Sequence, residues 1–458
     1  MNVKHSKVEM ILSADMYRVL LTLSVPIMIN NIIQTLYNLV DGIWVSKISS
    51  VHFAAVSFVW PINFLFVSLG MGISVAGTSL LSQLIGAEKV KEARKYATQL
   101  VALSLILGTL FAAIGIIASP FVIKLMGGEG EFASLANTYL RISCLDLPFL
   151  FLFSSVNSMM NAQGNTVTPT ILSAISAILN VILDPIFIFT LGMGIAGAAW
   201  ATVLSRVVLA ALGAKLLFSN DNVLKPNFNQ FKFDKKILKE IMRVGLPVSI
   251  GQSGASVGFI FLTGFIVSYG TATMAAFGMV NRTTNLFMLP AMGVGTALTA
   301  VVGQNLGANQ EKRATEGFVK ASKLASYMGI VGGIFVFVFS KQLVAFFIQS
   351  KDDPEVIVQS IIYMKFIAFS LPLMGMFSVL QGIFQGSGNT GYSMAMEIGR
   401  LWVVRLPVIL AFKQLTNFGS VGIWISMSFS NFVVCVFGLW VFKVKGWNQH
   451  GKKITNNT

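Results

Sequence analysis

The chain has 458 residues, of which 55% are hydrophobic and only 11% are charged. Soluble globular proteins carry about 25% charged residues, so the composition excludes a soluble domain and indicates a polytopic membrane protein. The net charge of +15 does not call for a nucleic-acid partner, because membrane topology explains where the positive residues lie.

A transmembrane helix needs about 20 apolar residues, or about 25 when it is tilted. Twelve runs meet this length, and we therefore expect an all-α membrane protein with twelve transmembrane helices. In chain order they are residues 18–46, 53–82, 96–119, 132–162, 168–191, 195–218, 240–268, 273–305, 317–340, 355–385, 391–414 and 420–443.

One long polar link divides these runs into two sets of six. Residues 219–239 are polar and basic, and they lie in the middle of the chain. We predict an N-terminal six-helix lobe at 1–218, a cytoplasmic connector at 219–239, a C-terminal six-helix lobe at 240–443 and a basic cytoplasmic tail at 444–458.

Lysine and arginine are concentrated on one side of the predicted membrane. The N-terminus, the connector and the loops after even-numbered helices carry most of them, whereas the opposite side carries only Lys47, Lys124, Lys341, Lys351 and Lys413. The positive-inside rule therefore predicts a cell-membrane protein with both termini in the cytoplasm.

The two halves repeat. A shift of 221 residues pairs Pro26 with Pro247 and Gln83 with Gln304, and a shift of 224 pairs Pro148 with Pro372. Each half has an even number of helices, so both halves insert with the same orientation. The expected arrangement is two six-helix bundles related by a pseudo-twofold axis along the membrane normal, as in transporters built from parallel repeats.

The fifth run carries an acid in its outer half. Asp184 costs roughly 2.5–3.5 kcal/mol at a helix centre, and Asn180 lies one turn before it on the same face. Pro185 has no N–H, so the helix can kink there, as it can at Pro26 in the first run. The carboxylate oxygens of Asp184 and the amide oxygen of Asn180 are ligands that suit a proton or a small cation. The alternative is structural, with Asp184 paired to an arginine or capping a broken helix.

A second acid, Asp41, lies in the first run, where Gln34 shares its face and Tyr37 lies between them. Thr202 lies at the same depth as both acids, roughly 9–11 Å below the outer boundary. Two carboxylates in a low-dielectric pocket cannot both ionise cheaply and titrate as a coupled pair. We therefore predict an ion-coupling site of Asp41, Asn180, Asp184 and Thr202, which could also ligate Na⁺.

The repeat indicates that this site belongs to the first half alone, because Asp41 corresponds to Leu262 and Asp184 falls against apolar residues. In the second half we expect Glu397 and Arg400 to neutralise each other three residues apart. Arg206 is interpreted as a snorkelling residue near a helix end. Met159 and Met160 are candidates to line a cleft, where soft side chains accommodate varied apolar ligands.

Several motifs together resemble the multidrug and toxic compound extrusion (MATE) family, in particular its DinF-like branch. They are Pro26, Asn38-Leu39-Val40-Asp41, the Gln-x-x-Gly-Ala loops at Gln83 and Gln304, Gly164-Asn165-Thr166, and the segment from Leu179 to Pro185. The resemblance implies an exporter of organic cations or amphipathic toxicants in exchange for H⁺ or Na⁺, able to act as a monomer and without a cofactor. It also implies a polar network made of Gln34, Tyr37, Asp41, Tyr139, Asn157, Asn180, Asp184 and Thr202.

Three other functions were weighed. A flippase for a lipid-linked saccharide would need a cationic cavity for a pyrophosphate, whereas acids dominate the first half. An ion channel would need a filter-like repeated loop, and none is evident in the sequence. An enzyme is not expected, because there is no His-Glu-x-x-His motif and the three histidines lie near the ends or in loops.

Overall fold

The computed structural model describes residues 3–220, 222–347, 354–444 and 447, and within them it is helical, with no β-strand. Ten helices are long and apolar enough to cross a membrane, and one bent helix pair makes an eleventh span. The remaining predicted run, 391–414, is also helical, but a π-helical segment divides it into short pieces. The predicted all-α membrane fold is confirmed.

The helices of the first half include one unexpected break. The run predicted as a single span at 132–162 is two helices bent by 42°, because the chain turns at residues 145–146 before Pro148. The helices are α1 (Val3–Ser13), α2 (Met16–Ser46), α3 (Ser50–Gly86), α4 (Val90–Leu125), α5 (Gly130–Cys144), α6 (Leu147–Ala162), α7 (Val167–Pro185), a π-helical segment (Ile186–Thr190) and α8 (Gly194–Leu217).

The second half follows the same plan with a second π-helical segment. Its helices are α9 (Lys235–Val267), α10 (Thr271–Gly307), α11 (Glu311–Val338), α12 (Ser340–Phe347), α13 (Pro354–Gly386), α14 (Thr390–Ile398), the π-helical segment (Gly399–Arg405), α15 (Leu406–Leu415) and α16 (Ser420–Lys443). Of the predicted tail 444–458, only Val444 and Trp447 are among the described residues.

The chain forms two compact units whose limits fall inside helices. The first unit contains residues up to Val8 and Ile29–Ser249, and the second contains Glu9–Met28 and the residues from Ile250 onward. The divisions in α2 and α9 lie within three residues of the repeat-related Pro26 and Pro247. Each of these helices therefore contributes residues to both units. The predicted lobes 1–218 and 240–443 place the division in the connector instead.

The internal repeat extends to the packing of each unit. In the first unit, a Cβ on Gly108 of α4 would lie 2.8 Å from the Pro148 Cα of α6. In the second unit, a Cβ on Gly329 of α11 would lie 2.6 Å from the Pro372 Cα of α13. Small residues of this kind allow membrane helices to approach closely, and here they do so at positions related by the predicted shifts.

The second unit has an aromatic core. Tyr363 and Trp424 are fully buried, and their rings stack with centroids 3.9 Å apart. Phe277 lies parallel to both rings, with its centroid 6.3 Å from that of Tyr363. Aromatic rings bury large areas and prefer defined stacking geometries, so this cluster fixes how α10, α13 and α16 pack.

Candidate functional site

The candidate site lies in the first unit, where α7 and α8 run side by side. Their three-residue link includes Gly192, whose φ is +65°, a backbone conformation that glycine adopts without strain. Gly197 of α8 then approaches the π-helical segment so closely that a Cβ would lie 2.7 Å from the carbonyl carbon of Phe187. The absence of a side chain at this position lets the two helices approach each other.

Pro185 changes the helix in a way that its sequence alone does not specify. Because proline cannot donate the usual backbone hydrogen bond, the α-helix ends at Pro185 and continues as the π-helical segment Ile186–Thr190. Wide π turns inside helices are rare and occur frequently at functional sites. Here the wide turn follows directly after Asp184.

Asn180 and Asp184 are both fully buried and face each other one turn apart. In one orientation of the Asn180 amide, its oxygen faces other acceptors. Turned by 180°, its nitrogen donates to Asp184 Oδ2 at 3.0 Å and its oxygen accepts from the Thr202 N–H at 3.2 Å. Amide orientation is assigned from the hydrogen-bond partners, and this second orientation satisfies both amide atoms of Asn180.

Thr202 connects these residues to α2. Its hydroxyl lies 3.2 Å from the Tyr37 hydroxyl, and its N–H donates to the Asn180 amide oxygen at 3.2 Å. The predicted juxtaposition of Thr202 with Asp184 thus occurs through Asn180. A continuous polar chain runs from α2 through α8 to the acid on α7.

Asp41 completes the acidic part of the cluster. It lies close enough to Asp184 for the two carboxylates to repel each other electrostatically, and its charge also acts on the hydroxyl groups of Tyr37 and Tyr139. Its Oδ1 atom is buried and has no hydrogen-bond partner among the described residues. An unsatisfied buried oxygen is costly, so this atom is suited to receive a proton or a cation.

The other predicted network residues are divided between two places. Gln34 lines a small crevice with Tyr37 and Arg206, next to the acids. Asn157 instead accepts a hydrogen bond from Asn161 at 3.2 Å, Met159 is fully buried, and Met160 contacts Asn165 at the far end of α6. A role for Asn157, Met159 and Met160 in substrate binding stays a prediction.

Two charged residues of the site were not recognised from the sequence. Arg206, interpreted there as snorkelling, lies 5.9 Å from the centre of the Tyr37 ring and interacts electrostatically with Tyr37 and Asp146. Asp146 lies at the break between α5 and α6. The sequence contained a signal, because Asp146 is a third acid inside an apolar run and the shift of 224 pairs it with Ser370.

The second unit carries a different set of charges. Glu397 and Arg400 form the predicted ion pair at 2.9 Å. Arg405 is buried at the end of the second π-helical segment, and it donates to Ser430 Oγ at 2.9 Å and to Asn431 Oδ1 at 3.2 Å. The acid pair Asp41 and Asp184 of the first unit thus has no equivalent among the described residues of the second.

Comparison with known proteins extends over most of the chain. The MatE family model matches residues 26–186 and 247–410. The probable multidrug resistance protein YpnP of Bacillus subtilis (strain 168) is 29% identical over 419 residues, which cover 90% of this chain and 91% of the relative.

Solved structures agree with this match. A crystal structure of MATE in complex with MaL6 superposes with a TM-score of 0.91 at 30% identity, covering 96% of this chain and 99% of that one. The outward-facing conformation of a multidrug resistance MATE family transporter of the MOP superfamily gives the same TM-score and identity, with coverage of 96% and 98%. The chain described here belongs to the MatE family of membrane transporters.

Proposed function

We propose that the protein exports organic cations or other amphipathic toxicants in exchange for H⁺ and/or Na⁺ by alternating access. The observation that carries this proposal is the electrostatically coupled pair of Asp184, which is fully buried, and Asp41, whose Oδ1 atom is buried, in the first unit. Buried intramembrane acids mark ion and proton pathways. The Bacillus subtilis relative, named a probable multidrug resistance protein, supports the substrate class.

The Asn180 amide supplies a mechanism by which protonation changes the site. When Asp184 is ionised, it accepts from the amide nitrogen at 3.0 Å, and the amide oxygen accepts from Thr202. When Asp184 is protonated, it can donate to the amide oxygen only if the amide turns over, and the Thr202 N–H then loses its acceptor. Proton uptake thereby changes the hydrogen bonds between α7 and α8, next to the Tyr37–Thr202 hydroxyl contact.

The same oxygens could bind Na⁺ as a transported ion. The carboxylates of Asp41 and Asp184, the amide oxygen of Asn180 and the hydroxyl of Thr202 are hard ligands, the type that suits alkali and alkaline-earth cations. The unpartnered Oδ1 of Asp41 fits such a role. A bound cation would replace the proton in neutralising the acid pair, so H⁺ and Na⁺ compete for one site.

Pro26 and Pro247 are the proposed points of bending. A helix that already lacks a backbone hydrogen bond deforms at lower cost, and both prolines lie within three residues of a unit boundary. A change in the charge of the acid pair on α2 and α7 would favour one shape of α2 over another. An ion or substrate can drive this change only through different affinities for the two states.

The remaining assignments follow from the sequence. We propose a cell-membrane location with both termini in the cytoplasm, from the distribution of lysine and arginine, and a monomer as the working form.

A flippase for a lipid-linked saccharide is not favoured. The buried ionisable residues of α2 and α7 are acids, which would repel a pyrophosphate.

The test is transport into inverted membrane vesicles. We expect an imposed proton or sodium gradient to drive uptake of a fluorescent organic cation by the wild type, and we expect Asp184→Asn to abolish that uptake. Asp234→Asn is the matched control, because Asp234 is an exposed carboxylate outside the acid pair that caps α9, and asparagine caps equally well. Uptake that is independent of both gradients would contradict the exchange mechanism.

A further inference from the structure

A second polar site lies at the surface of the first unit, away from the acid pair. A cavity of about 760 Å³ opens between the first turns of α4 and the connector. Five cations line it, Lys91, Arg94, Lys95, Lys225 and Lys232, together with the single carboxylate of Asp234. None of these five cations forms an ion pair with a described residue.

Specific hydrogen bonds hold the walls of this cavity together. Arg94 Nε donates to the Val223 carbonyl at 2.8 Å, and Gln99 Nε2 donates to the Lys232 carbonyl at 2.7 Å. The Thr98 hydroxyl accepts from the Asn227 N–H at 3.0 Å. The connector is therefore fastened to α4, and the side chains of Lys91, Lys95 and Lys232 remain exposed around the cavity.

Gln99 is a buried polar residue of this cavity. Its side chain is 5% exposed and lines the cavity. Its Oε1 atom is buried without a hydrogen-bond partner among the described residues. Gln99 therefore belongs to the wall of the cavity, and the cations call for a ligand with anionic oxygens. A phosphodiester has such oxygens.

An aromatic surface beside the cavity points to a lipid as the source of that phosphodiester. Phe218, Phe228, Phe231 and Phe233 form a continuous chain of ring contacts with centroids 4.9–6.1 Å apart. Phe231 lines the cavity, and the other three are 40–44% exposed. Exposed rings beside basic residues are typical of surfaces that lie at the boundary between headgroups and acyl chains.

We propose that this cavity binds the headgroup of an anionic phospholipid, of the phosphatidylglycerol type, from the adjacent membrane leaflet. The phosphate lies among Lys91, Arg94, Lys95 and Lys232, and the acyl chains leave along the phenylalanine surface. Basic residues near a membrane surface attract anionic lipids. This site does not depend on the proposed export function.

The experiment is a titration of the purified full-length protein in neutral detergent, with bound lipid counted by native mass spectrometry. The probes are dihexanoyl-phosphatidylglycerol, dihexanoyl-phosphatidylcholine and inorganic phosphate. We expect the phosphatidylglycerol to bind more tightly than the other two. The triple variant Lys91→Gln, Lys95→Gln, Lys232→Gln should weaken it by about fivefold for each removed cation, the equivalent of roughly 1 kcal/mol per basic residue.

The control removes the same charge elsewhere. Lys236, Lys239 and Lys323 are exposed, do not line the cavity, and can be changed to Gln together. This control should keep the wild-type affinity within about twofold, the scatter expected when exposed lysines outside a site change only long-range screened charge. Equal losses in both triple variants would overturn the proposal in favour of non-specific attraction. Inorganic phosphate binding as tightly as the lipid would overturn it in favour of a soluble anion.

Discussion

Gly197→Ala tests whether the close approach of α8 to the π-helical segment positions the acid site. The new Cβ would lie 2.7 Å from the carbonyl carbon of Phe187, whereas ordinary contact begins at 3.4 Å. The backbone must therefore retreat by about 0.7 Å, the difference between these two distances. The distances from the Asn180 amide oxygen to Thr202 N and from the Tyr37 hydroxyl to the Thr202 hydroxyl are both 3.2 Å, so the same displacement takes them beyond hydrogen-bond range.

The energetic cost of this substitution has two opposing parts. Overpacking costs typically 1–3 kcal/mol, towards the upper end here because backbone atoms must move. Alanine recovers up to about 1 kcal/mol of helix propensity over glycine. We expect a net loss of roughly 1–2 kcal/mol in the free energy of unfolding, together with a larger loss of transport because the polar chain is broken.

Gly42→Ala is the matched control, since Gly42 follows Asp41 and its Cβ would make an ordinary 3.6 Å contact with Phe53. Thermal unfolding in detergent and uptake of a fluorescent cation into inverted vesicles are measured for both variants. The control should match or slightly exceed wild-type stability and transport normally. Wild-type stability and uptake in Gly197→Ala would refute the positioning role of this helix contact.

Three further outcomes are expected. Asp41→Asn and Asp184→Asn should each abolish gradient-driven export while the protein stays folded. Leu262→Asn should instead act mainly on the unfolding temperature, because it buries an amide. Normal toxicant resistance in both acid variants would place the coupling elsewhere. Gly329→Ala should lower the unfolding temperature, because its Cβ collides with the backbone of α13, and an unchanged temperature would count against that packing. The two native cysteines are buried, so a cysteine introduced at exposed Lys236 can be labelled selectively. It should react only with reagents that enter the cytoplasm. Labelling by an impermeant reagent in intact cells would reverse the topology.

The sequence predicted the twelve helical runs, the internal repeat and the two acids, because each depends on local composition or on spacing. Apolar length determines which segments span a membrane, and the cost of a buried carboxylate makes Asp41 and Asp184 conspicuous. The juxtaposition of Thr202 with Asp184 was predictable because α7 and α8 are joined by three residues and must run antiparallel. The Glu397–Arg400 pair was predictable from helical spacing.

Other features depend on contacts between distant segments and could not be predicted. Depth along a helix does not indicate which neighbour a side chain meets, so Arg206 looked like a snorkelling residue until its position over Tyr37 was known. The bend at Asp146 and the division of α2 between two units depend on how whole helices pack. A proline predicts a weakened helix, but it does not predict that the π-helical segment follows Pro185.

The central claim is that protons, sodium ions and cationic substrate compete for the acid pair on α2 and α7. Substrate affinity of the purified protein, measured from about pH 5 to 8.5 with and without sodium, tests this claim most directly; the range brackets carboxyls that burial makes harder to ionise. We expect affinity to fall as the pH is lowered, because protonation removes the attracting charge, and to fall when sodium is added. By linkage, bound cation should lower proton affinity by the same factor, and Asp184→Asn should lose most of both dependences. An affinity that is flat with pH and sodium in the wild type would contradict the account, even if the protein proved to be an exporter.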